Sequence, residues 1–331
     1  DFDSAGDVDL IVVGEFMCIE FYENHNGTFS NSSLKTGLTH TAGWWNSING
    51  GDFDNDGDID YILGNLGLYS KYKATSEEPL SIYASDYDKN GTIDPIITTF
   101  NNGKEYPVHS RDDIIKQIPP LKKKFPDYAS YAQATINEVL TPQEKSSSYS
   151  AKVFEFASSI LINNGNGKFD LKPLPEWAQI APVHGILISD FDADGNLDVL
   201  LSGNDHGTEV GIGRYDASKG TYLKGTGKGN FIPCAFSDLG LLIDGNARGA
   251  AAITINNKQG YLFGSNNGNL KSYMLSDQVN SNKALTIPEK SVMAKIVLDD
   301  GKIRMHELYN GSSYLSQSTK SIQLSGREKS V

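Results

Sequence analysis

The feature that most constrains this chain is the nonapeptide Asp52-Phe53-Asp54-Asn55-Asp56-Gly57-Asp58-Ile59-Asp60. Carboxylates occupy its first, third, fifth and ninth positions, and a glycine occupies the sixth. This spacing suits a cation that needs roughly six to eight oxygen ligands, because the glycine permits a sharp backbone turn between ligands. The apolar run Tyr61-Ile62-Leu63 follows at once. The sequence therefore predicts a metal loop that leads directly into a strand.

The same pattern occurs at four places. We call residues 1–9 loop 1, residues 52–60 loop 2, residues 86–94 loop 3 and residues 190–198 loop 4. Each is followed by an apolar run typical of a strand, and loop 1 is the weaker copy because Ala5 stands at its fifth position. The starts of successive loops lie 51, 34 and 104 residues apart. The long last interval predicts two repeats, or one repeat with an insertion.

The composition agrees with a metal-binding β protein. The chain has 331 residues with 33 glycines and 16 tyrosines, which suits many short strands joined by tight turns. Its formal charge is −12, and the four loops alone hold 16 aspartates. One divalent cation in each loop would bring the net charge to roughly −4. Nucleic-acid binding is not expected, because the chain has no basic stripe to neutralise phosphates.

Two further observations concern compartment and chain ends. Cys18 and Cys234 could form one disulfide or remain two buried thiols, and spacing does not decide between them. The chain has neither an apolar run long enough for a transmembrane helix nor a signal peptide. It starts inside a metal loop without an initiator Met. We therefore expect it to be the C-terminal part of a longer chain.

Apolar runs and Asn/Gly turns predict hairpins over residues 10–29, 159–169 and 225–231, with further strands at 239–243, 250–255, 261–263 and 270–275. Between them, residues 110–140 show helical periodicity, broken at Pro119-Pro120, and residues 141–150 read as a polar loop. We expect this helical insertion to pack on the β domain, a substrate lid being the alternative. Strands at 292–298 and 302–308 predict a small terminal module whose last residues, 325–331, should fray.

An EF-hand is excluded by position twelve of each copy. That position must carry a bidentate Glu between two helices, but here it is Val12, Leu63, Ile97 and Leu201, each within a strand-like run. With a ninth-position Asp and an immediate strand, the loops resemble the calcium loops of FG-GAP/VCBS repeats. These are the β-propeller blades also found in integrin α-subunit heads. The resemblance implies an all-β fold, a β-propeller that is partial in this chain, with integrin-α-like blades, a helical insertion and a small C-terminal β module.

The resemblance also implies Ca²⁺ as the cofactor and assigns its ligands. The ligands implied are Asp52, Asp54, Asp56 and Asp60 in loop 2, Asp86, Asp88, Asn90 and Asp94 in loop 3, and Asp190, Asp192, Asp194 and Asp198 in loop 4. The seventh residues Asp58, Thr92 and Asn196 would offer only their backbone carbonyls. Loop 1 retains Asp1, Asp3 and Asp9. The implication is three complete calcium sites and a fourth that lacks one ligand.

The end of the chain carries a second resemblance. Residues 304–318, Arg-Met-His-Glu-Leu-Tyr-Asn-Gly-Ser-Ser-Tyr-Leu-Ser-Gln-Ser, resemble the ASPIC/UnbV segment that follows VCBS propellers in bacterial surface proteins and in the cartilage acidic protein family. Residues 43–48, Gly-Trp-Trp-Asn-Ser-Ile, resemble the bacterial members. This implies propeller blades over 1–287 and an ASPIC/UnbV-like module over 288–331. It also implies a secreted or lipid-anchored protein at a bacterial outer-membrane surface, in some cases beside SusC/SusD-type importers.

The sequence favours binding over catalysis. The paired carboxylates belong to loops whose cation would be filled by protein oxygens, which leaves no open position for a reaction. Calcium modules outside cells often bind at about 10⁻⁴–10⁻³ M, which also predicts an extracellular location. Trp44, Trp45, Tyr69 and Tyr72 are candidates for a recognition surface toward a surface protein or glycan, with core packing as the alternative. The rival hypothesis is a polysaccharide lyase or hydrolase, for which His109, Arg111 and His206 are loose candidates for catalytic residues.

Overall fold

Short antiparallel sheets make up most of the molecule. The computed structural model describes residues 1–3, 5–235, 239–275, 283–288 and 290–331. Four sheets, which we name blades A to D, follow one another along the chain. Each has three or four strands, and their order in the sheet follows their order in the chain. The all-β, propeller-like architecture expected from the loops is therefore present.

Blade A and the segment after it are built from five strands. The strands are β1 (Leu10–Val12), β2 (Glu15–Met17), β3 (Glu20–His25), β4 (Thr28–Asn31) and β5 (Gly43–Trp44), with a 3₁₀ helix at Ser33–Thr36. Blade A has the order β1-β3-β4, while β2 pairs with β5 in a separate two-stranded sheet. The predicted hairpin around the turn Asn26-Gly27 is confirmed as β3 and β4.

Blade B is interrupted by a long insertion. Its first two strands are β6 (Ser47–Gly51) and β7 (Asp60–Gly64), and between them lies loop 2. The chain then builds an inserted sheet with the order β10-β9-β8-β11, from β8 (Leu80–Ser85), β9 (Asp94–Asn101), β10 (Lys104–Pro107) and β11 (Tyr149–Val153). Blade B resumes with β12 (Ser159–Asn163) and β13 (Phe169–Pro173), and β12 pairs with β7.

Five short helices pack on the inserted sheet. They are α1 (Arg111–Gln117), α2 (Leu121–Lys124), α3 (Tyr128–Ala132), α4 (Ile136–Val139) and α5 (Pro142–Ser147). Their buried side chains, including Ile114 and Ile136, pack against Tyr83 and Ile96 of the sheet. The expectation of a loop over 141–150 was wrong. Thr141 and Glu144 form a reciprocal capping box that starts α5, and Pro142 is accommodated in the first helical turn.

Blades C and D complete the repeated sheets. Blade C contains β14 (Val183–Ser189), β15 (Asp198–Gly203), β16 (Thr221–Gly225) and β17 (Phe231–Cys234), preceded by a 3₁₀ helix at Glu176–Gln179. Blade D contains β18 (Ala247–Ile255), β19 (Lys258–Ser265) and β20 (Lys271–Met274). The strand predicted at 239–243 was wrong. Leu241 and Ile243 instead lie in an irregular segment, and their side chains are buried in the apolar cluster between blades C and D.

The last strands form two small sheets. These strands are β21 (Lys283–Thr286), β22 (Met293–Leu298), β23 (Ile303–Glu307), β24 (Ser321–Leu324) and β25 (Glu328–Ser330). β21 pairs with β24, and β22 lies between β23 and β25. The prediction that residues 325–331 fray was wrong, because β25 pairs with β22 and Arg327 forms an ion pair with Asp299 at 2.8 Å.

The blades pack through their first strands. β14 packs against both β6 and β18, and each of these three is the edge strand of its sheet. Asn49 Nδ2 donates to Ile186 O at 3.0 Å, which joins blade B to blade C. Apolar side chains such as Ile62, Ile186 and Val199 fill the core between the same two blades. Loops 2 and 4 join first strands to second strands, so they lie at the same end of their blades.

The two cysteines are free thiols. Cys18 is exposed, Cys234 is partly buried, and neither thiol is in a disulfide. Within the described ranges, none of the helices has the length and apolar character needed to cross a membrane.

Candidate metal centres

The loops fold in one conformation wherever the structure describes the same positions. The fourth residue of loops 2, 3 and 4 has a positive φ of 60°, 60° and 62°, at Asn55, Lys89 and Ala193. The sixth-position glycines have φ between 91° and 102° in all four loops. A side chain at that φ would be strained, so the glycine is required. Identical turns therefore follow from the repeated sequence.

The first aspartate of each loop is held by the backbone that follows it. In loop 2, Asp52 accepts hydrogen bonds from Asp56 N and Gly57 N, both at 3.2 Å. In loop 4, Asp190 accepts the corresponding bonds from Asp194 N at 3.1 Å and Gly195 N at 2.8 Å. The backbone thus wraps around a carboxylate, and the third- and fifth-position side chains are turned toward the same centre.

The ninth aspartate connects the loop to its sheet. Asp60 accepts from Phe53 N at 3.0 Å and from Asn163 N at 2.8 Å, while Asp198 accepts from Phe191 N at 2.9 Å and Gly225 N at 2.8 Å. Asn163 and Gly225 end the third strands of blades B and C. This residue therefore ties each loop to the third strand as well as to the second.

Carboxylate oxygens converge in all four loops. The groups whose oxygens lie within 4.8 Å of one another are Asp1, Asp3 and Asp9; Asp52, Asp54 and Asp56; Asp86, Asp88 and Asp94; and Asp190, Asp192 and Asp194. Three carboxylates at this distance would repel one another strongly unless a cation or protons neutralised them. Each group could hold a hard cation such as Ca²⁺ through oxygen ligands alone.

Burial makes the need for a cation stronger in loops 2 and 4. Burial raises the pKa of Asp52 and Asp190 to about 6, that of Asp198 to about 7 and that of Asp60 to about 8. The neighbouring loop carboxylates raise these pKa values further. Backbone N–H donors oppose this effect of burial in part, as does the Arg304 guanidinium at Asp190, and a bound cation would oppose it further.

Two observations test whether the loops suit a cation. Asp54 Oδ1 in loop 2 is buried and has no hydrogen-bond partner among the described residues, so an acceptor atom is left over. In loop 4, the Lys224 ammonium lies against Asp192 and, at 2.9 Å, against Asp194. A cationic side chain therefore already pairs with two of the predicted ligands. The first observation fits a cation bound at loop 2, whereas the second shows that Lys224 already neutralises part of the charge of loop 4.

The remaining predicted positions take part in the loops differently. Asp58 N, Thr92 N and Asn196 N donate to the fifth-position side chains at 2.9, 2.7 and 2.9 Å, so their amides shape the turn. Asn90 supplies that acceptor in loop 3. In loop 1, Ala5 N donates to Asp3 at 3.0 Å, as Asn90 N does to Asp88 in loop 3, but the alanine side chain supplies no fifth-position oxygen.

Loops 1, 2 and 4 also position an aromatic side chain between neighbouring sheets. Phe2 packs on Phe169 of blade B with ring centroids 6.1 Å apart, and Phe53 packs on Phe231 of blade C at 5.3 Å. Phe191 packs on Tyr261 of blade D at 5.1 Å. These are the second residues of loops 1, 2 and 4. An ordered loop therefore holds the contact between one blade and the next.

Residues 1–63 match the family model of the FG-GAP-like repeat. The match spans loops 1 and 2 and ends in β7, while loops 3 and 4 lie beyond it with the same geometry. Repeats of this kind fit a propeller-like fold and typically occur in extracellular or surface proteins. Among curated proteins, none matches this chain.

Two of the three residues considered for catalysis, Arg111 and His109, hydrogen-bond to the backbone. Arg111 donates to the carbonyls of Phe125 at 2.9 Å and Pro126 at 2.8 Å, which fixes the helices, and His109 Nε2 accepts from Ile97 N at 3.2 Å. His206 lies in the segment after β15, in blade C. The segment that carries His206 reaches the insertion, because Ile212 and Tyr215 pack in the same apolar cluster as Val108, the neighbour of His109.

Of the four residues expected on a recognition surface, the structure places three in or against the core and leaves one exposed. Trp45 and Tyr72 are buried, and Trp44 is half-buried with its ring stacked on Tyr72, so these residues serve the core. Tyr69 is exposed, and its hydroxyl bonds Glu176 beside the exposed Trp177. Sequence reasoning missed Trp177 because no repeat or turn signal marks it, and missed Lys224 because its contact with loop 4 spans 32 residues.

Proposed function

We propose that this chain is a calcium-stabilised, propeller-like binding module of an extracellular or cell-surface protein. The observation that carries the proposal is the convergence of three carboxylate oxygens within 4.8 Å in each of four loops, from the first, third and ninth positions in loops 1 and 3 and from the first, third and fifth positions in loops 2 and 4. Calcium fits better than zinc or copper because the ligands are oxygens, without sulfur or imidazole. Loops 2, 3 and 4 would use their four predicted ligands, and loop 1 would use Asp1, Asp3 and Asp9 with weaker affinity.

The proposed role of the ion is structural. Bound calcium would supply positive charge to carboxylates that burial otherwise drives toward protonation. The chain's own residues connect the ordered loops to the sheets. Asp60 and Asp198 tie the loops to third strands, and Phe53 and Phe191 fill the space between blades. Order in the loops therefore becomes order between the sheets.

The decisive experiment is a thermal melt in calcium and in excess EDTA. A ligand that binds only the folded state stabilises it by about 2.7 kcal/mol at 100 times its Kd. We expect the melting temperature to fall clearly on chelation and to recover when calcium is restored. An unchanged melt in EDTA would overturn structural calcium.

We propose that the surface presented on this scaffold binds a partner and does not catalyse a reaction. Support comes from His109 and Arg111, which are engaged in backbone hydrogen bonds. The exposed pair Tyr69 and Trp177 offers aromatic area for a glycan or a protein. Incubation with acidic polysaccharides, followed by absorbance of unsaturated products, tests the rival lyase hypothesis. Sustained turnover would overturn the binding proposal.

The location and partner are proposed from the resemblance of residues 304–318 and 43–48 to bacterial surface proteins of the ASPIC/UnbV type. A lipid-anchored position at an outer membrane, beside SusC/SusD-type proteins, is the specific form of this proposal. Fractionation of producing cells with protease shaving is its test. Recovery of the protein only from a protease-protected cytosolic fraction would contradict it.

A further inference from the structure

The residues after β22 run back over the loops at one end of the blades and then along the first strands. We define residues 303–328 as the C-terminal segment. Ser313 Oγ accepts from Ile186 N of β14 at 2.6 Å, and Ser316 and Ser318 accept from Ala250 N and Ala252 N of β18 at 3.1 and 3.0 Å. Serine hydroxyls thus satisfy edge-strand amides that would otherwise be unpaired.

The same segment is bonded directly to loop 2. Met305 N donates to Asp52 Oδ2 at 3.0 Å. Asp52 is the first predicted ligand of its loop, and it is fully buried. This hydrogen bond engages Oδ2 and restricts rotation of the carboxylate group about the Cβ–Cγ bond of Asp52. The C-terminal segment therefore takes part in orienting a predicted calcium ligand.

Loop 4 is held through its backbone. Arg304 donates to Gly195 O at 3.1 Å, Arg327 donates to Asp194 O, and Gln323 Nε2 donates to Asp190 O at 3.3 Å. Arg304 is only 2% exposed, and Glu328 lies 3.8 Å from its guanidinium. These donors need the loop carbonyls in the positions that the folded turn gives them.

We propose that calcium binding at loops 2 and 4 is coupled to docking of the C-terminal segment, so that loss of calcium releases the segment from the first strands. This inference rests on the proposed function. Without a cation, repulsion among the carboxylates distorts the loops and moves the acceptors that Met305, Arg304 and Arg327 use. By thermodynamic linkage, weaker docking must lower calcium affinity by the same factor.

Loop 3 supplies a matched control. Its first carboxylate is held by Asn90 N at 3.0 Å and Gly91 N at 2.8 Å, and its ninth by Tyr87 N at 3.0 Å, all within the loop. It belongs to the inserted sheet, on which the helices pack. Asp54, Asp88 and Asp192 occupy the same third position in loops 2, 3 and 4. Substitution of each by Ala therefore removes the same ligand from coupled and uncoupled loops.

The test is hydrogen exchange of the full chain in calcium and in EDTA, read at peptides from residues 303–324, with peptides of β12 as the reference for the folded core. We expect D54A and D192A to increase exchange of the C-terminal segment in calcium, and D88A to leave it unchanged. Equal protection of the segment in calcium and EDTA, or an equal effect of D88A, would overturn the coupling.

A second experiment weakens docking of the C-terminal segment and measures the effect on calcium affinity. The double variant S316A/S318A weakens docking at β18 without changing any charge or any loop residue. We expect calcium affinity at loops 2 and 4 to fall by about fivefold or more, the lower end of typical coupling, while affinity at loop 3 is unaffected. Unchanged affinity at all sites would overturn the inference. If calcium fails to raise the melting temperature of the unaltered chain, the proposed function itself fails, which is a separate result.

Discussion

At the scale of single residues, the first and ninth aspartates of each loop have different tasks. Asp52 and Asp190 are wrapped by amides of their own turns, whereas Asp60 and Asp198 accept from the third strand. The pattern of carboxylates was readable from the sequence because every member lies within nine residues. The partner amides Asn163 and Gly225 were not readable, because strand pairing over 103 and 27 residues brings them there.

The third-position aspartates should differ in importance between loops. Replacement of Asp54 or Asp192 by Ala removes one of four predicted ligands from a complete site, and we expect a loss of about 1–3 kcal/mol of folding free energy in calcium. Replacement of Asp3 by Ala should cost less, because loop 1 already has Ala5 at its fifth position. Calcium-saturated denaturant melts of the three variants provide the comparison. Equal losses would contradict this ranking.

Lys224 should compete with the cation at loop 4. Its ammonium pairs with Asp192 and Asp194, and this pairing raises the pKa of Lys224. The variant Lys224→Met removes the competing charge, so we expect tighter calcium binding at one site in a calorimetric titration. Lys228→Met is the control, because Lys228 is exposed in the turn four residues later and carries the same charge. A similar gain in both variants would point to net charge alone.

His184 should make stability depend on pH. Burial and the neighbouring Arg248 lower the pKa of His184 to about 3, and the nearby Asp205 opposes this only in part. The unfolded chain takes up a proton near pH 6.5 and the folded chain does not, so the stabilisation is present above pH 6.5 and is lost toward pH 3.

The measurement is denaturant unfolding in saturating calcium at several values between pH 4 and pH 7. Replacement of His184 by Gln keeps an acceptor for Arg248 and removes the titrating ring. We expect the slope of unfolding free energy against pH to fall by up to about 1.4 kcal/mol per unit. His25→Gln is the control, because His25 is exposed. A slope unchanged in the His184 variant would show that its burial has no such cost.

At the scale of elements, hairpin order was predictable and strand partnership was not. The hairpins at 20–31, 159–173 and 221–234 follow from local apolar runs and Gly turns. Loop 3 has the same pattern of ligand and glycine positions as loop 2, yet it lies in a sheet nested inside blade B. That nesting depends on the pairing of β7 with β12 across almost 100 residues. Local periodicity contains no information about such a distant partner.

The phenylalanines after the hairpin turns test the aromatic packing between neighbouring sheets. Phe169 is 4% exposed and packs on Phe2 and Phe21, whereas Phe29 stands at the same place in blade A and is 49% exposed. Phe169→Ala should destabilise the chain by about 3–5 kcal/mol, the usual cost for a buried Phe. Phe29→Ala should cost under about 1 kcal/mol. Urea unfolding of both variants decides the matter, and similar costs would argue against this packing.

At the scale of the whole molecule, charge and architecture are connected. The chain carries a formal charge of −12, and the aspartates that dominate it are gathered in four loops. Loops 2 and 4 lie at one end of adjacent blades, and the turn at Gly227 lies against Asn196 of loop 4 and Asn55 of loop 2. The two loops therefore lie next to the same turn of blade C. The distribution of this charge was visible in the sequence, and the adjacency of the two loops was not.

Sodium chloride should be a poor substitute for calcium. Salt screens charges that are exposed and separated by more than about 10 Å at 0.1 M, but the loop carboxylates converge within 4.8 Å and several are fully buried. We therefore expect about 0.5 M NaCl to restore less than half of the melting temperature lost in EDTA, while a few millimolar calcium restores all of it. Magnesium should restore less than calcium, because it demands a smaller octahedral site and gives up its water reluctantly. Complete recovery in NaCl would mean that general repulsion across a molecule of high net charge, and not coordination in the loops, controls its stability.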